Sequence, residues 1–253
     1  MIAILSPAKA FHSESSSKIN LGTDPFFLKE AIKINKQMRK YSQKELIKLL
    51  KISPALAEQS WERFQRWKKD SIQEHTNQAI LSFKGEAYRG LDAHSMCEEE
   101  LKFAQDHLRI LSGHYGVLRP LDLIQYYRLE MGTKLAFGEF KNLYAYWGDK
   151  IANHLNRELS GERSIINLAS NEYFKSVNTK KLNAKIITPI FKDFKDDQYK
   201  TVMVYAKYAR GAMVRFIIKN GITESEHLKA FDLDGYRFSN TDSTDELFVF
   251  LRG

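Results

Sequence analysis

The sequence predicts an α/β protein, and three observations lead to that class. Short, largely apolar runs at 1–5, 164–168 and 246–251 have the length and composition of buried strands. Between them lie segments whose apolar residues recur at helical spacing, several opened by capping signals. The 253 residues are 43% hydrophobic and 12% aromatic, with five prolines and no Gly/Ser tract that would serve as a linker. That composition belongs to a folded chain, one large domain or two small ones.

The strand at 1–5 ends in Ser6-Pro7-Ala8-Lys9. Ligands of open α/β sheets sit at carboxyl ends of strands, so Lys9 is a cleft candidate as well as an ordinary surface lysine. A loop is expected over 12–20. Asp24-Pro25 starts a helix, with Asp as N-cap and Pro at the first position, and Phe27, Ala31, Ile34 and Met38 carry it to about Lys40. Ser42 and Glu45 form a capping box for the next helix, with Leu46, Leu49 and Leu50 inward. Lys51-Ile52-Ser53-Pro54 breaks it. Ser53 caps a third helix with Leu56, Ala57, Ser60, Trp61 and Phe64 inward.

These helices carry the charge. The chain has a net charge of +8, and residues 33–69 hold eleven bases against three acids, whereas 224–253 hold seven acids against three bases. The asymmetry reads as a polyanion-binding face or as a solvated helical surface. The turn around Ile52 resembles a helix-hairpin-helix, which aims backbone N–H groups at a DNA phosphate, with Ile52 as the plug and Ala57 at the crossing. Lys51 and Ser53 stand where that motif has glycines. Candidate DNA contacts are Lys44, Lys48, Lys51, Ile52, Ser53, Arg63, Arg66, Trp67 and Lys68, with Trp67 as a base-stacking ring.

Residues 84–91 read as a polar loop bracketed by glycines and carrying Lys84 and Arg89. Ser95 and Glu98 form a second capping box, opening a helix to about Leu111. The stretch from 111 to 131 follows as a Gly-, Arg- and Tyr-rich loop presenting Arg119 and Arg128. A helix covers 144–159. After the strand at 164–168, Ser170, Asn171, Glu172 and Lys175 occupy a sheet end. Strands over 185–194 and 200–206 pair around Asp196-Asp197. A helix over 206–218 stops at Gly221, with Lys207, Gly211 and Arg215 on one face beside Arg210. The small Gly211 leaves room there for a backbone or a phosphate.

The candidate cleft cations are thus Lys9, Lys84, Arg89, Arg119, Arg128, Lys175, Lys207, Arg210 and Arg215. Glu130 and Glu172 are candidate general bases and Tyr127 a stacking residue, should the cleft act on a nucleobase, nucleotide or nucleic acid. That enzyme reading requires Arg119, Arg128, Lys207 and Arg210 to line one pocket. No catalytic motif fixes a reaction. The seven histidines lack metal-ligand spacing and Cys97 is the only cysteine, so neither zinc nor an iron–sulfur cluster is expected. Glycine-rich dinucleotide and P-loop motifs are missing, so no cofactor is expected. A direct iron site of carboxylates would be opposed by the surrounding cations. The absence of a signal peptide and of an apolar run long enough to span a bilayer points to the cytoplasm and away from membranes.

Several words together resemble one family: SPAK (6–9), FKGEAYRGL (83–91), LSGHYGVLRPLD (111–122), YRLEMG (127–132), YWGD (146–149), INLASNEYFK (166–175) and AKYARGAMVRFII (206–218). They resemble the bacterial peroxide stress protein YaaA family, along the whole chain. Tyr126 stands where proline is expected before the YRLEM word. The resemblance implies a single compact α/β domain, the cantaloupe fold, with a basic helical hairpin at about 26–69. It further implies a positive cleft that binds duplex or distorted DNA, and a role in limiting unincorporated iron and DNA damage under hydrogen peroxide. A nucleotide-like ligand in the cleft is the alternative partner.

Overall fold

The structure, a computed structural model, describes residues 1–12, 21–68, 76–159 and 163–253. Most of the loop expected over 12–20, and Lys69, lie outside them. In chain order the strands are β1 (Ile2–Leu5), β2 (Ala10–Phe11), β3 (Asn77–Gln78), β4 (Phe83–Lys84), β5 (Leu108–Ser112), β6 (Gly116–Leu118), β7 (Leu123–Ile124), β8 (Ser164–Leu168), β9 (Lys185–Lys195), β10 (Gln198–Lys200), β11 (Arg237–Phe238) and β12 (Leu247–Arg252). The helices are α1 (Leu28–Met38), α2 (Gln43–Leu50), α3 (Pro54–Arg66), α4 (Ala79–Ser82), α5 (Glu86–Leu91), α6 (Glu98–His107), α7 (Leu143–Trp147), α8 (Lys150–Glu158), α9 (Asn171–Phe174) and α10 (Met203–Lys219).

A mixed sheet runs β11-β12-β9-β8-β1-β5-β6, with β10 paired to β9. Its middle strands β12, β9, β8, β1 and β5 are mutually parallel, and β6, β10 and β11 are antiparallel additions. β1 and β8 are buried at every residue, as strands covered on both faces must be. The chain leaves β1 to one side for β5 and returns to the other side for β8. Strand order therefore reverses at β1, and its carboxyl end is the topological switch point of the sheet.

Local capping signals are realised in the helical hairpin. Ser42 and Glu45 form the reciprocal box of α2, Lys51 ends it in the left-handed region at φ 54°, and the Ser53 hydroxyl accepts the Leu56 N–H ahead of Pro54. Asn35 donates to the Phe64 carbonyl at 3.2 Å, tying α1 to α3.

Elsewhere long-range contacts displace the expected boundaries. The α1 helix starts at Leu28 with Phe27 as its N-cap: Thr23 bridges to Asp122, and Pro25 opens a turn in which its carbonyl accepts the Leu28 N–H at 3.1 Å. Leu56 is exposed rather than inward. Residues 86–91 are helical, because Gly90 lets the turn lie against α10. The box before α6 lies at Cys97 and Glu100, whose carboxylate accepts the Cys97 N–H, while the Ser95 hydroxyl bonds to the Asp92 carbonyl. The helix expected to reach Leu111 stops at His107, and 108–112 is a strand pairing with β1. Gly148 at φ 45° splits the expected helix over 144–159 in two. The strand expected over 200–206 gives way to α10 at Met203.

Candidate anion-binding site

Four segments converge on the carboxyl end of β1. Pro7 keeps Ser6 extended as the strand ends. The Ser170 N–H, just past β8, donates to the Ser6 hydroxyl at 2.8 Å, and the Tyr88 hydroxyl donates to the Ser6 carbonyl at 3.1 Å. The loop after β7 lies over this edge. Tyr127 and Ser112 share a hydrogen bond of 2.6 Å, fixing the loop to the end of β5. Gly113 permits that approach, since a Cβ there would stand 2.4 Å from the Leu129 carbonyl oxygen.

The loop sets Glu130 between two cations, 3.4 Å from Arg128 and 3.8 Å from Lys9. Pro7–Lys9, residues 127–130 and Tyr173 enclose a cavity of about 10 Å³. Arg128 Nε is buried there with no acceptor. Burial raises the pKa of Tyr88, Tyr127 and Tyr173, so these phenols stay neutral.

The hairpin reaches the same place. Phe11 and Tyr126 stack at 4.5 Å, and the Arg63 guanidinium lies 5.6 Å from each ring centre. Burial lowers the Arg63 pKa; Tyr126 opposes that and the like charge of Arg128 adds to it. Among the described residues no carboxylate pairs with Arg63. Arg63 and Arg128, expected in separate regions, are therefore neighbours. Lys44, Lys48, Lys51, Arg66 and Lys68 are exposed on the hairpin, where Arg66 forms an ion pair with Glu62 at 3.3 Å. Ile52 packs against the core from the hairpin turn, next to the exposed Ser53.

Trp67 is not a free stacking ring. It is 5% exposed and its indole N–H donates to the Tyr115 hydroxyl at 3.0 Å, closing α3 onto the loop. Tyr127 is buried as well and offers no face to a base. Arg119 is not in the site: it binds Asp122 and lines a 680 Å³ cavity with Met1 and Gln105 at the amino end of β1, whereas Arg128 lies at the carboxyl end. The four cations required by the enzyme reading thus do not line one pocket. Arg215 binds the Leu91 and Asp92 carbonyls, closing the end of α5, and Arg89 pairs with Glu86 and stacks on Tyr208. Gly211 makes room for a backbone, since a Cβ on it would stand 1.7 Å from the Ala87 carbonyl oxygen, so α5 occupies the space a phosphate would need. Burial lowers the Arg210 pKa, and Lys207 is exposed. Lys84 is exposed on β4, and Lys175 lines an open 490 Å³ cavity with Asp149 and Asn178. Glu172 is exposed and accepts the Gly132 N–H at 3.0 Å.

Phe11, Tyr126 and His114 were not legible as site or support residues. The signal for Tyr126 was its departure from the expected proline. His114, between Gly113 and Gly116, is wholly buried among Phe64, Trp67, Tyr115 and Tyr127, with both ring nitrogens unpartnered.

Fold and site together define a mixed-sheet α/β protein whose basic helical hairpin docks against a cationic cluster at the sheet's switch point. Residues 1–242 match the family described as peroxide stress protein YaaA, and the chain belongs to that family. It is similar over its whole length to UPF0246 proteins. One from Aliivibrio fischeri (strain MJ11) is 48% identical, with 98% of that protein covered. Those of Saccharophagus degradans and Flavobacterium psychrophilum are 46% and 45% identical, with 99% and 100% covered. Among the described residues no helix is long and apolar enough to cross a membrane.

Proposed function

We propose that the protein acts in the cytoplasm during hydrogen peroxide stress by binding duplex or distorted DNA, and that covering DNA limits damage driven by unincorporated iron. The family's description supports the stress role. The observation that carries the DNA reading is continuity of charge. The exposed lysines of α1 and α2, with Lys51 and Lys68 flanking α3, share the hairpin with Arg63, which neighbours Arg128 and has no carboxylate partner among the described residues. On this reading the α2–α3 turn works as a helix-hairpin-helix-like element, Lys51 supplying charge where glycine is usual, on a sheet we take to be the family's cantaloupe fold.

Phosphate neutralisation releases counterions, so affinity for a duplex should fall linearly in log–log salt titrations. Replacing Lys44, Lys48 and Lys51 by alanine should reduce that slope by about 1 for every phosphate left without its lysine. An unchanged slope and affinity would remove the hairpin from the interface. Strand breakage of plasmid by Fe(II) and peroxide, with wild type against the triple variant, tests the protective role.

A further inference from the structure

We propose that Lys9, Arg63 and Arg128 form a receptor for a phosphate monoester, the doubly charged terminal phosphate of a nucleotide or of a broken strand, seated at the carboxyl end of β1. The inference rests on the nucleic-acid reading above and names the chemical group that this part of the tract selects.

Position is the first argument. The cluster stands at the switch point, where an open α/β sheet leaves a crevice between strand ends. Charge is the second. Three cations face one carboxylate, because Glu130 serves both Lys9 and Arg128 while Arg63 has no acid partner among the described residues. Among the described residues two positive charges remain unmatched in a partly desolvated place, and the two guanidinium groups repel each other. A phosphate monoester carries close to two negative charges at neutral pH, whereas an internal phosphodiester carries one. The dianion matches the surplus; the exposed lysines of the hairpin suffice for diesters.

Donor geometry is the third argument. Arg63 stands beside the Phe11–Tyr126 stack, 5.6 Å from each ring centre, and the two rings hold its planar fork in place. Arg128 Nε is a buried donor without an acceptor, an expensive state that a ligand oxygen would relieve. The adjoining cavity of about 10 Å³ has the size of one oxygen and excludes a nucleobase. Neutral tyrosines around it add no repulsion to an incoming anion.

The test uses the full chain and two kinds of probe. Calorimetry compares inorganic phosphate, thymidine 5′-monophosphate and thymidine. Fluorescence anisotropy compares duplexes of one sequence whose 5′ or 3′ ends carry phosphate or hydroxyl. The expected result is a preference of about tenfold or more for the phosphorylated member of each pair, as charge-assisted bidentate contacts provide. Arg128→Lys keeps the charge and removes the fork, Arg63→Gln removes the charge on the stack, and the exposed Lys9→Ala guards against misfolding; each should reduce the preference. Lys48→Ala with Lys51→Ala should weaken all duplexes while leaving the ratio intact. Binding of monophosphate as tight as that of strand ends makes the source a free nucleotide; binding of ends alone makes it a broken strand. Equal affinity for phosphate and hydroxyl members, or a preference that survives Arg128→Lys and Arg63→Gln, overturns the proposal while leaving DNA binding in place. Binding of phosphate without any duplex affinity overturns the DNA reading and keeps the receptor.

Discussion

The Arg63 guanidinium lies 5.6 Å from the centre of the Tyr126 ring, which itself stacks on Phe11 at 4.5 Å. This contact joins the third helix of the basic hairpin to the loop that carries Arg128. Its worth can be measured with a double-mutant cycle. A partly desolvated cation–π contact should give Arg63→Ala and Tyr126→Ala a coupling of about 0.5–2 kcal/mol in urea denaturation. Strict additivity would mean that the stack does not hold Arg63.

Gly211 in α10 should be intolerant of any side chain. Its Cβ would meet the Ala87 carbonyl oxygen at 1.7 Å and the Leu91 nitrogen at 2.9 Å, while a Cβ on Gly90 would meet the Tyr208 carbonyl oxygen at 2.2 Å. The obstacles are backbone atoms, which cannot swing aside. Gly211→Ala gains helix propensity worth about 1 kcal/mol. It should nonetheless destabilise by roughly 2–4 kcal/mol, because the two helices must separate. A melting temperature at or above wild type would show that the crossing is loose.

These two contacts also mark what the sequence could and could not disclose. The box at Ser42 and Glu45 and the cap at Ser53 were legible because their partners lie three residues away. Both strands bordering the switch point, β1 and β8, were legible because burial on both faces leaves an apolar run. Leu108 and Leu111 continue the helical spacing of Leu101 and Ala104, so periodicity alone could not reveal that the chain turns there into a strand beside β1. Gly211 advertised space but not its occupant. Lys9, Arg63 and Arg128 were each candidates, and their assembly depended on Trp67 bonding to Tyr115 and on Arg63 reaching Tyr126, contacts across 48 and 63 residues that no local pattern encodes.

His114 should make the protein acid-sensitive. Burial pushes its pKa down to about 3 from 6.5, so below pH 6.5 the unfolded chain binds a proton that the folded chain refuses. Stability from this group is therefore lost as pH falls from 6.5 towards 3, by up to roughly 5 kcal/mol. His114→Phe keeps an aromatic ring and removes two unpartnered nitrogens. It should be neutral or stabilising by about 1–2 kcal/mol at pH 7, and it should flatten the dependence of the urea midpoint between pH 6.5 and 4. An unaltered pH slope would place the acid sensitivity elsewhere.

Glu158 should act in a lower window. Burial alone would raise its pKa, but hydrogen bonds from His154 and Arg109 and the Arg109 charge outweigh that and bring it to about 2. Arg109 is 4% exposed, 2.7 Å from Glu158, and also donates to the Gln105 and Leu108 carbonyls. A carboxylate depressed from 4.5 contributes stability above pH 4.5 that disappears as pH falls towards 2, here roughly 3 kcal/mol. Glu158→Gln removes that window and leaves a buried guanidinium without its counter-charge, which should cost about 3–5 kcal/mol at pH 7. Because Arg109 sits in β5 beside β1 at Ile4, the loss should weaken the sheet under the switch point and not the hairpin alone. Hydrogen exchange at pH 7 distinguishes the two: protection should fall in β1 and β5 together. Faster exchange confined to α1–α3 would contradict this assignment of the ion pair.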